Sequence, residues 1–324
     1  MKISVVMTTY NGGKYISKQL ASIINQTVRP FEIIICDDRS TDNTFHILSE
    51  FDYVGIRHSI YQNDRNLGYI KNFRKAMSLA TGDVILLCDQ DDVWNEYKIE
   101  YFNNLFEKYD NVLCANSGFY MIDQDDKIIQ NNEAIDTVDT MLKNKIEKIG
   151  IDELVKKNIS PGCTMAIRSE IVKFYLNTSE DIIPHDYTLN LIAAYKDGCY
   201  ITREKLVYYR IHSENTIGNS LSASKGHNRE KRNRNIQKSE ILYKEIKQFL
   251  HSELGIINTS FDSYIDRRIL FSQRRNAFVL KKQFSHLFYL IKEAELYTSK
   301  RALLMDILSF FYLDRIVEKI LHVE

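Results

Sequence analysis

Asp83-Val84-Ile85-Leu86-Leu87-Cys88-Asp89-Gln90-Asp91-Asp92-Val93-Trp94 decides the fold class. Between Asp83 and Asp89 every side chain is apolar. A run that short, with nothing polar on either face, reads as a strand covered on both sides, the usual state inside a parallel sheet. Its carboxyl end then carries Asp89, Asp91 and Asp92. Toward the N-terminus the same grammar repeats. Residues 3–7, 32–36 and 57–62 are strand candidates. Between them, Tyr15, Ile16, Leu20, Ile23 and Ile24 recur at helical spacing after Asn11-Gly12-Gly13. Ser40-Thr41-Asp42 offers N-caps for a helix ending near Phe51, and residues 68–80 form a helix stopped by Thr81-Gly82. The β-α-β-α-β-α-β rhythm implies an α/β fold, a mostly parallel sheet flanked by helices.

Such sheets collect ligands at the carboxyl ends of their strands. Three polar clusters fall there: Thr8-Thr9-Tyr10-Asn11, Asp37-Asp38-Arg39-Ser40 and Asp89-Gln90-Asp91-Asp92. Packing alone does not call for so many acids in one crevice.

Residues 110–212 are less regular. Strands are expected at 112–115 and 119–123, joined as a hairpin, and at 163–167 and 206–209; helices are expected at 151–157 and 185–195. From Ser213 the chain turns polar and carries Lys225, Arg229, Lys231, Arg232 and Arg234. This organisation predicts a catalytic domain over 1–215, with a nucleotide-binding half to about 125 and an acceptor half over 126–215. A mobile basic loop is expected over 216–234 and a helical region over 235–324, with helices at 236–250, 261–278, 284–297 and 300–321.

With 44% hydrophobic residues the chain can build a large core, and 43 basic against 43 acidic side chains argue against bulk attraction to nucleic acid. Cys36, Cys88, Cys114, Cys163 and Cys199 are odd in number and lack CxxC spacing, which reads as buried free thiols of a reducing compartment. The opening Met-Lys-Ile-Ser-Val-Val-Met is too short an apolar run for a secretory leader. No stretch approaches the ~20 apolar residues of a membrane span. A cytoplasmic location is expected, at most at the inner face of the cell membrane.

An Asp-x-Asp pair at a strand end suits a hard divalent cation, Mn²⁺ or Mg²⁺, that neutralises a departing diphosphate. Taken alone, the segment reads equally as a turn in which Asp92 caps the next helix. Asp38 offers a carboxylate to a pyrimidine N–H or to ribose, while Ser40 and Thr41 read equally as a capping box. Tyr10 offers an aromatic face to a base. Asp186, in Pro184-His185-Asp186-Tyr187, is either a general base toward an acceptor hydroxyl or a helix cap. In Tyr209-Arg210-Ile211-His212, His212 can give a nitrogen to a metal and Arg210 can face phosphate, though a lone histidine is often structural.

Taken in order, these pieces resemble the inverting family 2 glycosyltransferases, which have the GT-A fold. They are the Thr8–Asn11 segment, Gln26-Thr27, Asp37 to Asp42, Asn66-Leu67-Gly68 with Asn72, Thr81-Gly82-Asp83, and Asp89 to Asp92. The resemblance covers about residues 2–215. It is nearest to the bacterial subgroup of surface-polysaccharide assembly; the pairing of Asp89–Trp94 with His185-Asp186 and Arg210-Ile-His212 is similar to rhamnosyltransferases. It implies that Thr8 and Tyr10 hold the nucleotide base, with Asn11 and Gln90 as further donor contacts. Asp38 would bond the pyrimidine, Asp89 would sit near ribose and metal, Asp91 and His212 would ligate the metal, and Asp186 would be the general base. Two positions depart: His185 stands where Glu is usual, and Arg39 where glycine is usual.

The implied partners are a nucleotide-sugar donor, dTDP-rhamnose or a UDP-hexose, and a hydroxyl of a glycan or lipid-linked glycan acceptor. The apolar stripe at 303–321 is expected either to pack against the catalytic domain or a second subunit, or to touch a membrane surface. A catalytically silent sugar-nucleotide-binding subunit is the alternative. A dinucleotide-dependent oxidoreductase is disfavoured, because no Gly-x-Gly-x-x-Gly follows the first strand.

Overall fold

A computed structural model of the chain describes residues 1–129, 146–179, 183–212, 229–297 and 299–311. The chain divides into two compact units, Met1–Thr216 and Ile217–Glu324.

The first unit is built on one nine-stranded mixed sheet. β1 (Ile3–Thr9), β2 (Glu32–Asp37), β3 (His58–Gln62) and β4 (Val84–Cys88) are parallel, with β1 between β2 and β4. β1, β2 and β4 are buried at every residue, which is why their sequences show no polar alternation. β8 (Met165–Arg168) runs antiparallel to β4 and to β6 (Cys114–Ile122), and β6 runs parallel to β9 (Cys199–Arg210). β9 changes partner along its other edge: β7 (Ile146–Lys148) pairs near its start and β5 (Val93–Trp94) near its end, both antiparallel. The spatial order is therefore β3-β2-β1-β4-β8-β6-β9-β5, with β7 beside β9.

Strand alternation sends Ile3, Val5 and Met7 into one core with α1 (Ile16–Ile24), α2 (Thr44–Glu50) and α4 (Lys98–Lys108). Phe102 and Phe106 of α4 are fully buried there, each contributing about 2–3 kcal/mol of apolar burial. α3 (Tyr69–Leu79) packs on β1 and β2 and meets α6 (Ser169–Leu176) and α7 (His185–Tyr195). A one-turn α5 (Ile151–Leu154) touches α7.

Three expectations change. Residues 112–115 and 119–123 do not form a hairpin. They belong to one strand, β6, whose Asn116–Gly118 region is a β-bulge against β9. Ser40 and Thr41 do not cap α2, which follows Asn43; Ser40 bonds Asp37 and Thr41 bonds Asn11. Asp92 caps no helix either: β5 follows it, and its Oδ1 accepts the Arg210 N–H at 2.9 Å.

The second unit is helical: α8 (Arg229–Ser252), α9 (Thr259–Val279), α10 (Leu287–Lys292) and α11 (Lys300–Phe310). Residues 229–234, expected as loop, lie in α8; the rest of that expected loop falls outside the described residues. Residues 284–297 are a short helix between two 3₁₀ turns, not one helix. Asn258 caps α9 and Ser299 caps α11 by accepting backbone N–H groups. Of the stripe in the last helix, Leu303, Ile307 and Phe310 pack on the unit's own core of Phe271, Phe278 and Leu290, whereas Leu304 is exposed; residues 312–324 lie outside the described residues. No described helix is long and apolar enough to cross a membrane.

Candidate active site

The carboxyl ends of β1, β2 and β4 lie side by side, and side-chain clamps fasten them to each other. Gln90 reaches from the end of β4 to the end of β1, where its Oε1 accepts the Tyr10 N–H at 2.8 Å and its Nε2 donates to Tyr10 O at 3.0 Å. Gly12 makes room for this: a Cβ there would lie 2.1 Å from Gln90 Oε1. Asn11, at φ 49, accepts the Thr41 N–H at 2.8 Å and gives its own N–H to Ser40 Oγ at 2.9 Å. Both amide atoms of Gln90 and the Oδ1 of Asn11, two side chains expected as donor contacts, bond within the chain. Thr8 is buried beside them, while the Tyr10 ring stands open to solvent.

Asp37 and Asp38 divide the end of β2. Asp37 is fully buried and accepts from Thr9 Oγ1, the Ser40 hydroxyl and N–H, and Gln62 Nε2. Asp38 accepts from Asn63 Nδ2 and the Leu67 N–H on Oδ1, and from the Gly68 N–H on Oδ2, all at 2.8–2.9 Å. It therefore shapes the turn that starts α3. Arg39 follows at φ 66, a left-handed conformation that favours glycine.

The acidic segment is the centre of the site. Asp91 Oδ2 lies 2.7 Å from His212 Nε2, so the two side chains expected to share a metal are in contact, one from each side of β5 and β9. Ligand atoms of Asp89, Asp92 and Cys163 lie within 4.8 Å of one another. Desolvation, then the charges of Asp92, Asp91 and Asp186, hold the Asp89 carboxyl well above its ordinary range. Burial and then the charge of Asp91 push Asp92 up as well. Beneath them lies Lys98, fully buried, its Nζ donating to Cys163 O at 2.6 Å and 3.6 Å over the Trp94 ring. Burial pushes the Lys98 ammonium down to about 8 against the support of its anionic neighbours.

Carboxylate oxygens and an imidazole nitrogen are donors that Mn²⁺ and Mg²⁺ accept. Asp89 is raised first by desolvation and then by the neighbouring carboxylates, and that gathered negative charge is what such an ion offsets, so the residues fit a divalent cation. Arg210, by contrast, does not face a phosphate. It is buried, stacks 4.6 Å over Tyr15, donates to the carbonyls of Asp91 and Asp123, and pairs with Asp126 at 2.6 Å. Its work is to brace the acidic segment and His212, which packs on the same Tyr15 ring.

Asp186 opens α7 without capping it. Its Oδ1 accepts the Tyr187 N–H at 2.8 Å and its Oδ2 accepts Asn158 Nδ2 at 3.0 Å. Burial raises its carboxyl to about 6 despite those bonds. Its charge is felt at Asp89, where it adds to the raising of that carboxyl. The neighbouring His185 is buried against Phe73 at 4.2 Å with no hydrogen bond at either ring nitrogen, and burial pushes it down to about 3.

Sequence reasoning missed Lys98, Cys163 and Asn158. For Lys98 a signal existed: it sits one turn before Phe102 and two before Phe106, on the apolar stripe of its own helix.

A family model described as Glycosyl transferase family 2 matches residues 4–175. The chain is 31% identical over 232 residues to dTDP-rhamnosyl transferase RfbG of Shigella flexneri, over 67% of this chain and 75% of that one. Its fold is similar to S. aureus TarS, solved with UDP-GlcNAc (TM-score 0.61, 18% identity, 98% and 91% covered). It is also similar to the mannosyltransferase PcManGT from Pyrobaculum calidifontis, solved with GDP-Man and Mn2+ (TM-score 0.52, 13% identity, 98% and 86% covered). With its mixed, mostly parallel sheet and its acid-lined strand ends, the chain belongs to glycosyl transferase family 2 and is a glycosyltransferase of the GT-A fold.

Proposed function

We propose that this glycosyltransferase moves a sugar, with inversion, from a nucleoside-diphospho-sugar to a hydroxyl of a glycan or lipid-linked glycan in bacterial polysaccharide biosynthesis. The relative that acts as a dTDP-rhamnosyl transferase makes dTDP-rhamnose the first donor to test, with UDP-hexoses second. The observation that carries the reading is Asp186: a buried carboxylate at the start of α7, held by the Tyr187 N–H and by Asn158 Nδ2, which burial raises to about 6. A base with that proton affinity is largely ionised at neutral pH yet strong enough to take a proton.

In this reading the acceptor oxygen attacks the anomeric carbon as its proton passes to Asp186. The bond from that carbon to the diphosphate oxygen breaks, and the nucleoside diphosphate leaves. Asp91 and His212, with Asp89, would hold a divalent cation, Mn²⁺ or Mg²⁺, which when bound supplies positive charge at the leaving diphosphate. The open Tyr10 ring offers a face to the base, Thr8 borders it, and Asp38 Oδ2, which accepts a single bond, keeps a lone pair for a base N–H. Contact with a membrane surface or a second copy, through exposed Phe288, Ile291 and Leu304 of the helical unit, belongs to the same proposal.

A thermal-shift screen of dTDP-, UDP- and GDP-sugars with Mn²⁺ identifies the donor. Asp186→Asn then lowers turnover by about 10²–10⁴-fold with donor affinity kept. Loss of donor binding in that variant would remove Asp186 from the base role. Donor binding by the unaltered protein with no transfer to any acceptor would favour the catalytically silent subunit.

A further inference from the structure

Behind Asp186 the polar side chains form an ordered relay. Ser160 Oγ donates to Asn116 Oδ1 at 2.6 Å. Asn116 Nδ2 donates to Asn190 Oδ1 at 2.9 Å. Asn190 Nδ2 donates to Asn158 Oδ1 at 3.4 Å, and Asn158 Nδ2 donates to Asp186 Oδ2 at 3.0 Å. All four bonds point the same way and end on the carboxylate. Asn116 and Asn190 are fully buried. Further partners fix the orientation of Asn190 and Asn158. Asn190 Oδ1 also faces the Cys114 and Cys199 thiols at 3.5 Å, which only donate usefully to an oxygen. Asn158 Oδ1 also accepts the Ile159 N–H at 3.0 Å. Because residues 158 and 160 are two apart in one segment, the relay closes on itself and ties that segment to β6 and α7.

A buried amide costs stability unless its bonds are made, so two fully buried amides joined head to tail to the half-buried Asn158 are expensive to keep for packing alone. We propose that Asn158 is the positioning residue of the acceptor-activating carboxylate, held donor-first toward Asp186 by this closed relay. The proposal rests on the reading of Asp186 as the base. Were Asn158 free to turn, it would present its carbonyl and repel the carboxylate; the relay forbids that. The donated N–H stabilises ionised Asp186 and holds Oδ2 as the Tyr187 N–H holds Oδ1, which leaves each oxygen one lone pair to meet an acceptor. The ionisable groups that face Asp186 are Asp89 at the end of β4, Tyr69 on α3 and its neighbour His185. None of them donates to it in the described residues, so Asn158 is its side-chain donor.

The test follows the Asp186 carboxyl by infrared pH titration of the full chain, assigned as the band lost in Asp186→Asn. It needs no substrate. Asn158→Ala moves the midpoint up from about 6 by about one to two pH units. Asn158→Asp, which keeps the shape and sets a second carboxylate against the first, moves it further. Once a donor is in hand, the acid limb of kcat/KM moves by the same amount with donor KM unchanged. An unmoved midpoint in Asn158→Ala, or a lowered melting temperature with no titration shift in either variant, overturns the proposal. If Asp186→Asn keeps full transfer while the midpoint moves as expected, the base reading fails and the placement of Asn158 on Asp186 stands.

Discussion

His185 makes the stability of the first unit depend on pH in a way that one substitution removes. Its ring is 5% exposed, stacks on Phe73, and has no hydrogen bond at either nitrogen. Gly162 closes over it, for a Cβ there would stand 3.0 Å from Nε2. Burial therefore lowers its pKa from 6.5 to about 3. The folded protein keeps His185 neutral where the unfolded chain protonates it. The stability that depends on this neutrality is intact above about 6.5 and is lost as pH falls from there toward about 3. At pH 5 the deficit is 1.5 of those units, about 2 kcal/mol. Asp186 pulls the other way, since its raised carboxyl favours the folded state as pH falls through 6, but it is present in both proteins and cancels in a comparison. Urea unfolding of the unaltered chain and of His185→Leu, at pH 7 and pH 5, reads the difference. The unaltered chain loses about 2 kcal/mol more than the variant between the two pH values. Equal losses would mean that His185 has a partner or an open path to solvent, and would refute the reasoning.

Three further outcomes follow from the site. Arg39→Gly relieves the left-handed backbone at φ 66 and raises stability by about 1 kcal/mol, seen as a melting temperature ~2–4 °C higher; no gain would mean the turn is unstrained. Lys98→Met leaves Asp89 and Asp92 without their buried cation and costs about 3–5 kcal/mol in urea unfolding at pH 7. Part of that loss returns at pH 6, where the raised carboxyls take up protons in the folded state, and a pH-independent loss would make Lys98 a packing residue only. Asp91→Asn and His212→Ala each weaken Mn²⁺ binding by about tenfold or more in calorimetric titration, and undiminished binding in both would move the ion to Asp89, Asp92 and Cys163.

The parallel half of the sheet is legible because its evidence is local. β1, β2 and β4 have apolar centres facing both ways, and the polar clusters gather at their carboxyl ends. The second half is harder to read, since its strands answer to partners far along the chain. Asn116-Ser117-Gly118 has turn composition, yet Asn116 is a fully buried relay member and Gly118 lies at a bulge. β9 was expected only from Leu206, because Thr202-Arg203-Glu204-Lys205 looks like loop; pairing with β6 and β7 overrides that composition. Asp92 and Arg210 were misread for the same reason. Local rules offered a cap and a phosphate ligand, and the structure joins the two across more than a hundred residues. The acids themselves, Asp89, Asp91 and Asp186, were legible because charge at a strand or helix end is a local signal, whereas the amides that orient Asp186 carry none.

β5 carries a lesson for anyone splicing this enzyme to a relative. It is two residues long, follows directly on the acidic segment, and pairs with Val207 and Tyr208 at the far end of β9. The chain before α4 thus contributes a strand to the edge formed by β9, like a stitch passed through two pieces of cloth. A chimera cut after α4 would bring a foreign β9 to this stitch, with a foreign residue at 210 to receive Asp92 and at 212 to meet Asp91. A splice should therefore carry residues 206–212 with the acidic segment and vary what lies between.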